Sequence, residues 1–179
     1  MFPTERLSRF LSYLLRHRPQ EYPIAFDPHG FAPWGEVVDT VRERFREVTE
    51  EQMCAVVIGS DKQRFELKDG KVRATYGHSF PVNLGLEPVE PPRQLYFGTA
   101  RDLAQSILRK GLKPRDRYYV HLSPSVSEAI VVGKRRDPAP AVIVVDALVA
   151  HTEGVRFFAS GPLFLAEHVS SKFLSLDQK

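Results

Sequence analysis

Apolar residues near the start of the chain recur at the spacing of an amphipathic helix. Between Glu5 and Arg16 they fall at i, i+3, i+4, i+7 and i+8, so they share one face. The residues on this face are Leu7, Phe10, Leu11, Leu14 and Leu15. The pattern predicts a first helix over Glu5–Arg16, with Thr4 as its N-cap and Pro19 as its stop. A shorter run of the same kind predicts a second helix over Gly35–Phe45.

The period then changes from helical spacing to strict alternation. Thr49 and Gln52 are the ends of a Thr-Glu-Glu-Gln capping box, which predicts that a third helix begins there. Apolar residues next alternate on both sides of Asp69-Gly70, which predicts a β-hairpin. These residues are Phe65 and Leu67 before the turn, and Val72 and Ala74 after it. Three helices followed by a hairpin is the order of a winged-helix module.

A proline-rich segment over 87–92 separates this pattern from a different one. Proline lacks an amide proton and fixes φ, so the segment cannot form a helix or a central strand. We therefore predict a boundary between a domain over 1–87 and a domain over 88–179. In the second domain, short alternating runs and helical runs predict an α+β fold. The strands are predicted over Leu95–Phe97, Tyr118–Leu122, Ala141–Val145, Val155–Phe158 and Leu163–Leu165, and the helices over Asp102–Lys110 and Ser127–Val132.

Composition excludes several classes of protein. With 42% hydrophobic and 26% charged residues, the chain has ordinary globular composition rather than that of a disordered protein. No apolar run approaches the roughly 20 residues of a membrane span, and charges interrupt the N-terminal segment where a signal peptide would be apolar. The single cysteine, Cys54, excludes an internal disulfide framework and a cysteine-rich metal site. We expect a cytoplasmic, monomeric protein with no membrane partner.

Positive charge is concentrated in the second half of the chain. The formal net charge is +3, and the excess lies in 88–179. Two segments carry it, one over Arg109–Arg117 and the other Lys134-Arg135-Arg136. Such segments are either solvated surface or binding sites for phosphate.

Four basic residues have both a structural and a functional explanation. Arg16 and His17 end the first helix, where basic residues complement the helix dipole, but they also have the chemistry of an anion site. By alternation Arg64 faces outward from its strand. Arg135 follows a predicted helix and is either part of a basic loop or a phosphate ligand.

The candidate binding residues of the second half lie on two predicted strands. Alternation puts His121 and Ser123 on one face of a strand and Leu122 on the other. Gly98, in the fragment Tyr96-Phe97-Gly98-Thr99, allows a backbone to approach a ligand closely. The chain has neither a GxGxxG fingerprint nor a Walker A motif, and no metal-binding motif such as HExxH.

The motifs taken together resemble the RNA 2′-phosphotransferase family of the KptA type, over nearly the whole chain. In order they are Leu7-Ser8-x-x-Leu11-Ser12-x-x-Leu15-Arg16-His17-x-Pro19, Gly30-Phe31, Lys62-x-Arg64-Phe65, Tyr96-x-Gly98-Thr99, Gly111-Leu112, Val120-His121-Leu122-Ser123, Gly133-x-Arg135 and Val145-Asp146-Ala147. The resemblance implies an N-terminal winged-helix lobe that binds RNA, a C-terminal ADP-ribosyltransferase-like lobe that binds NAD⁺, and an active site in the cleft between them.

The resemblance also implies a reaction. A 2′-phosphate on RNA, of the kind left at a tRNA splice junction, attacks the nicotinamide ribose of NAD⁺ and gives an ADP-ribosylated RNA. The neighbouring hydroxyl then attacks phosphorus, which releases ADP-ribose 1″,2″-cyclic phosphate without any metal. By similarity the catalytic residues are Arg16, His17, Arg64 and Arg135, and the NAD⁺-binding residues are Tyr96, Gly98, Thr99, His121, Leu122 and Ser123. The segment Arg109–Arg117 is a candidate for the pyrophosphate or the RNA backbone.

Some positions depart from the family pattern. Family members commonly have histidine where this chain has Phe97, and glycine where it has Asp137. The segment Ser160–Leu165 lacks the Asn-Gly and the tryptophan expected nearby. The four basic catalytic positions are intact, which favours an active enzyme.

The sequence is also compatible with two other functions. One is an ADP-ribosyltransferase that modifies a nucleic-acid terminal phosphate, or another acceptor, and stops after the first step. The other is a winged-helix nucleic-acid-binding protein in which Arg16 and Arg64 contact backbone phosphates. Its binding would weaken with salt and would not respond to NAD⁺.

Overall fold

The computed structural model describes residues 4–17, 21–59 and 63–177, so Pro19 and Lys62 lie outside the described residues. The chain divides into two compact units, unit 1 over Met1–Gly85 and unit 2 over Leu86–Lys179. Unit 1 contains, in order, α1 (Thr4–Arg16), β1 (Ala32–Pro33), α2 (Trp34–Arg44), α3 (Glu50–Ile58), β2 (Phe65–Lys68) and β3 (Lys71–Ala74).

The three helices and the hairpin of unit 1 form where the sequence predicts them. The apolar face of α1 is buried in the core of this unit. At the start of α3, the Thr49 hydroxyl accepts from the Gln52 N–H and the Gln52 side chain accepts from the Thr49 N–H, so the capping box is complete. Asp69 and Gly70 both have positive φ, 49° and 71°, which is the geometry of a tight hairpin turn. The added strand β1 pairs with β3 and gives the order β1-β3-β2.

Arg73 ties the segment after the hairpin to the rest of unit 1. Its guanidinium donates to the carbonyl oxygens of His29 and Leu84 at 3.2 and 3.1 Å, and to the Glu66 carboxylate at 2.7 Å. It also lies 4.4 Å from the centroid of the Phe31 ring. Since a guanidinium has five donors in a fixed plane, one side chain can satisfy all of these groups.

Unit 2 is built from two antiparallel sheets with helices packed on them. Its elements are β4 (Gln94–Thr99), α4 (Arg101–Lys110), β5 (Val120–Leu122), α5 (Val126–Gly133), β6 (Ala141–Asp146), α6 (Ala147–Thr152), β7 (Phe157–Ser160), β8 (Leu163–Ala166), a short 3-10 helix (Ser171–Phe173) and β9 (Leu174–Leu176). The sheet orders are β4-β6-β9 and β5-β8-β7. The prediction of an α+β fold is confirmed.

Some elements of unit 2 differ from the prediction. β7 begins at Phe157 rather than Val155, because the Val155 N–H donates to the Ala150 carbonyl at the end of α6. β5 begins at Val120 rather than Tyr118. Neither α6 nor β9 was predicted. Within the described residues, no helix is long and apolar enough to cross a membrane.

Candidate functional site

Arg16 is a buried cation held between aromatic rings at the end of α1. The residue is 9% exposed. Its guanidinium carbon lies 4.7 Å from the ring centroid of Tyr76 and 5.8 Å from that of Phe65. One guanidinium nitrogen donates to the Arg64 carbonyl at 3.4 Å. Cation–π contacts and a hydrogen bond therefore fix the position of this charge.

Arg64 does not face outward as its alternation predicted. β2 begins one residue later, and Gln63 before it has a left-handed φ of 42°, so the alternation of the strand does not extend to Arg64. The side chain is half-buried and its Nη1 donates to the Ser8 hydroxyl of α1 at 3.1 Å. Two arginines 48 positions apart therefore meet at the same helix.

His17 follows α1 directly, and Ser79 satisfies the end of that helix. The Ser79 N–H and hydroxyl donate to the Arg16 carbonyl at 2.9 and 3.1 Å, and the hydroxyl also donates to the His17 carbonyl at 3.3 Å. The Arg16 carbonyl at the end of α1 and the His17 carbonyl after it thus have a hydrogen-bond partner other than the two basic side chains. This weakens the explanation of Arg16 and His17 as residues that serve only to complete the helix.

Two supporting residues of this cluster were not predicted. Tyr76 and Ser79 carry no sequence signal, since their roles depend on where the segment after the hairpin lies. Ser8 could have been found from the sequence, because it is part of the motif on α1 that carries the family resemblance.

Replacing Ser8 with alanine is expected to lower turnover about tenfold, which corresponds to about 1.4 kcal/mol. The change removes the hydrogen-bond partner of the Arg64 guanidinium and leaves a good helix former in α1. The measurement is a double-mutant cycle with Arg64→Ala on the substrate that the family resemblance implies, an RNA with a 2′-phosphate. If Ser8 acts by holding Arg64, Ser8→Ala has no further effect in the Arg64→Ala background, and additive losses would contradict this role.

In unit 2 the two segments named as cofactor candidates are adjacent. The Tyr96 N–H donates to the Ser123 carbonyl at 2.9 Å, and the Ser123 N–H donates to the Tyr96 carbonyl at 2.8 Å. This bridge joins β4 to the residue after β5. Ser123 and Thr99 are buried and His121 is half-buried. Leu122 belongs to the hydrophobic core, so a ligand would meet its backbone rather than its side chain.

Gly98 makes room for a helix. A Cβ atom there would lie 1.8 Å from the Ala129 carbonyl oxygen and 2.9 Å from the Gly133 nitrogen, both in α5. The missing side chain therefore permits close packing of α5 on β4. The expectation that Gly98 also lets a ligand approach its backbone stays a prediction.

Arg135 lies in the turn that follows α5, among other charges. The neighbouring Arg136 guanidinium is 3.4 Å from the Asp116 carboxylate. The two basic segments of unit 2 thus meet. Asp137, where the family commonly has glycine, accepts from the Arg101 N–H at 3.0 Å and the Ala139 N–H at 2.9 Å. These backbone hydrogen bonds lower the pKa of Asp137, and the one from Arg101 satisfies an N–H in the first turn of α4.

Arg117 is the half-buried member of this basic group. Burial lowers the pKa of its guanidinium, and the charges of Arg135 and Arg136 lower it further, while Asp116 acts in the opposite direction. The sequence did not single out Arg117 from its exposed neighbours, because its burial depends on the fold.

The basic residues around Arg16 in unit 1 and those around Arg135 in unit 2 have the chemistry of anion-binding sites. Guanidinium groups, a histidine and hydroxyls are donors that bind phosphate oxygens. Among the residues that the structure describes, no three or more His, Cys, Asp or Glu side chains are grouped so as to hold a metal ion. Cys54 stands apart from this chemistry, since burial raises the pKa of its thiol.

Comparisons with known proteins give one consistent result. Residues 3–163 match the model of the family described as RNA 2′-phosphotransferase, Tpt1/KptA family. A protein of Acetivibrio thermocellus named "Probable RNA 2′-phosphotransferase" is 39% identical over 175 residues, which cover 96% of each chain. Proteins of the same name from Burkholderia lata and Thermococcus kodakarensis are 40% and 38% identical, over 97% and 88% of this chain and 91% and 87% of their own.

Proposed function

Since the chain belongs to the RNA 2′-phosphotransferase, Tpt1/KptA family and is therefore a transferase, we propose that it removes an internal 2′-phosphate from RNA in a reaction that consumes NAD⁺. The substrate class we propose is RNA with a phosphate of the tRNA splice-junction type. The products are nicotinamide, ADP-ribose 1″,2″-cyclic phosphate and RNA with a plain 2′-hydroxyl.

The observation that carries the proposal is the meeting of Arg16 and Arg64 at the end of α1. Arg16 is fixed by Tyr76 and by the Arg64 carbonyl, and Arg64 is fixed by Ser8. A phosphomonoester dianion needs cations that keep their charge and hold its oxygens in defined directions, and arginine meets both needs. Two positioned guanidinium groups also stabilise the charge that builds on phosphorus.

NAD⁺ supplies the ribose carbon that accepts the phosphate oxygen and the nicotinamide that leaves. In unit 2, the adjacent Tyr96 and Ser123 bring two strand segments together, and His121 is partly exposed on one of them. We propose that Tyr96, Gly98, Thr99, His121, Leu122 and Ser123 bind NAD⁺, the last through its hydroxyl. Donors and acceptors of this kind fit ribose hydroxyls and amide groups.

The proposed reaction balances in two displacements. First, a phosphate oxygen bonds to C1″ of the ribose as the bond to nicotinamide breaks. Second, the 2″-hydroxyl oxygen bonds to phosphorus, the bond from phosphorus to the RNA 2′-oxygen breaks, and the hydroxyl proton ends on that 2′-oxygen. Arg16 and Arg64 bind the phosphate through both displacements, and His17 donates a hydrogen bond to it or carries the proton. By its match to the family motif, we propose Arg135 as the fourth catalytic residue.

The topology of unit 1 supports a role in binding RNA. Its order of α1, β1, α2, α3 and a hairpin, with β1 paired to β3, is typical of winged-helix modules. We propose that unit 1 is a winged-helix lobe that binds the RNA and that unit 2 is an ADP-ribosyltransferase-like lobe that binds NAD⁺.

The test is a radiolabel assay on a short RNA with one internal 2′-phosphate, with and without NAD⁺. NAD⁺-dependent loss of the phosphate, with ADP-ribose cyclic phosphate formed in equal amount, is the expected result. The same RNA with a 2′-hydroxyl is the control and should be inert. A stable ADP-ribosylated RNA would instead indicate a transferase that stops after one step, and salt-sensitive binding with no reaction would indicate a nucleic-acid-binding protein.

A further inference from the structure

We propose that Thr75, the residue after β3, is a positioning residue that sets the direction of the Arg64 side chain. It does so by holding the two peptide groups on either side of the Arg64 Cα atom. The inference rests on the proposed function and deepens it, since Arg64 is one of the cations that we propose for the phosphate. Thr75 lies outside the motifs that carry the family resemblance, so its contacts alone identify it.

Two hydrogen bonds join Thr75 to the chain around Arg64. The Thr75 hydroxyl donates to the Gln63 carbonyl at 2.6 Å, and the Thr75 N–H donates to the Arg64 carbonyl at 3.0 Å. Both form at the end of the hairpin away from its turn, just beyond the pair of Phe65 and Ala74. These two carbonyls belong to the peptide groups before and after the Arg64 Cα atom. Because each peptide group is planar, fixing both planes fixes the φ and ψ of Arg64 and therefore the direction of its Cα–Cβ bond.

The backbone conformation of Gln63 indicates that this point of the chain needs to be held. Its φ of 42° is in the left-handed region, which residues other than glycine adopt rarely and retain only where neighbouring groups hold them. Gln63 is exposed, so burial of its side chain does little to stabilise this conformation. The Thr75 hydroxyl binds the carbonyl of Gln63 itself. Threonine suits this role because branching at Cβ makes its χ1 stiff.

The direction set in this way brings Arg64 to α1. Its Nη1 donates to the Ser8 hydroxyl at 3.1 Å. The Arg64 carbonyl that accepts from Thr75 also accepts from the Arg16 guanidinium at 3.4 Å, so one peptide group links Thr75 to both arginines of the proposed phosphate site. Since a small displacement of a positioned group costs much of a reaction rate, we expect loss of the Thr75 hydroxyl to slow the reaction without removing either cation.

The experiment measures single-turnover removal of the 2′-phosphate from RNA at saturating NAD⁺ for three variants. Thr75→Val removes the hydroxyl and keeps the branched shape, and we expect it to lower the rate about tenfold. Thr75→Ser keeps the hydroxyl and is expected to stay within about threefold of the wild type. Thr152→Val is the matched control, because the Thr152 hydroxyl donates to the Val149 carbonyl at 2.8 Å in unit 2. We expect this control to change the rate by less than about twofold.

Two double variants test whether Thr75 acts through Arg64. In the Arg64→Ala background, Thr75→Val should cause no further loss of rate, and a further loss of about tenfold would overturn the inference. Gln63→Asn gives the bend a residue that tolerates the left-handed conformation, so it should restore part of the rate lost in Thr75→Val. No gain in that double variant would contradict the role of the hydroxyl in holding the bend.

A readout that needs no reaction separates this inference from the proposed function. In ¹⁵N spectra of the arginine side chains, the Arg64 signal is assigned by its loss in Arg64→Ala. It should move towards the signal of the exposed Arg9 in Thr75→Val and stay in place in Thr75→Ser. Hydrogen exchange in β2 and β3 shows whether each variant is folded.

The two readouts together assign each failure to its cause. If the wild type leaves the 2′-phosphate in place but the Arg64 signal moves in Thr75→Val, the proposed function fails and the positioning role stands. If the wild type is active and neither the rate nor the signal responds to Thr75→Val, the positioning role is wrong and the proposed function stands.

Discussion

Replacing Arg64 with alanine is expected to reduce the rate of 2′-phosphate removal by about 100-fold or more. The side chain donates to Ser8 and its carbonyl accepts from Arg16, so it belongs to a cluster of fixed cations rather than to a solvated strand face. Loss of one such cation removes stabilisation of the charge that develops on phosphorus. The measurement is a single-turnover assay with saturating NAD⁺, which separates the chemical steps from product release.

The control for this variant is Arg9→Ala. Arg9 is on the exposed side of α1, where it pairs with Glu5, one helical turn away at 2.6 Å, so we expect a change of less than twofold. Arg64→Lys tests whether charge alone suffices, and we expect it to recover a small part of the rate because it lacks the planar pair of donors. Wild-type turnover by Arg64→Ala would show that Arg64 is not a catalytic residue. Wild-type turnover by Arg135→Ala would show the same for Arg135.

Replacing Gly98 with alanine is expected to lower the free energy of unfolding by about 3 kcal/mol. The new methyl group would lie 1.8 Å from the Ala129 carbonyl oxygen and 2.9 Å from the Gly133 nitrogen. Both are backbone atoms of α5, so α5 must move away from β4. Urea denaturation followed by far-ultraviolet circular dichroism measures the loss. Hydrogen exchange should locate the change at the amides of β4 and β6.

Gly35→Ala is the matched control for Gly98→Ala. Gly35 is in α2, and a Cβ atom there would meet nothing within 4 Å. We expect no loss of stability and a gain of up to about 1 kcal/mol, because alanine is the better helix former. Equal destabilisation by the two substitutions would show that the close packing at Gly98 is not the cause.

Elements with local signals were predicted correctly. The capping box of Thr49 and Gln52 fixes the start of α3 within four residues, and the turn at Asp69-Gly70 fixes the hairpin in the same way. By contrast, β1 and β9 have two and three residues, and each is a strand only because a distant partner supplies its hydrogen bonds. No periodicity within such short segments can reveal that partner.

The site was predictable in its residues and not in its arrangement. The sequence motifs identify Arg16 and Arg64 as basic candidates, but only the fold brings the two side chains to one helix. For Arg64, the alternation of the strand also predicted the wrong environment. The positions of Tyr76 and Ser79 follow from the path of the segment after β3. Arg117 could not be told from Arg115, since the difference between them is burial.

The order of strands in unit 2 has a consequence for synthesis on the ribosome. β6 is the middle strand of its sheet, and its two neighbours are β4, which precedes it, and β9, which ends at Leu176. At about 5–20 residues per second, roughly 4–15 s separate translation of the end of β4 from translation of the end of β9. Until then one edge of β6 lacks its strand and can pair with another chain. The last strand of unit 1, β3, ends at Ala74, so the nascent chain can complete the sheet of unit 1 first. The risk of aggregation is greatest later, while unit 2 is being made and the edge of β6 is unpaired.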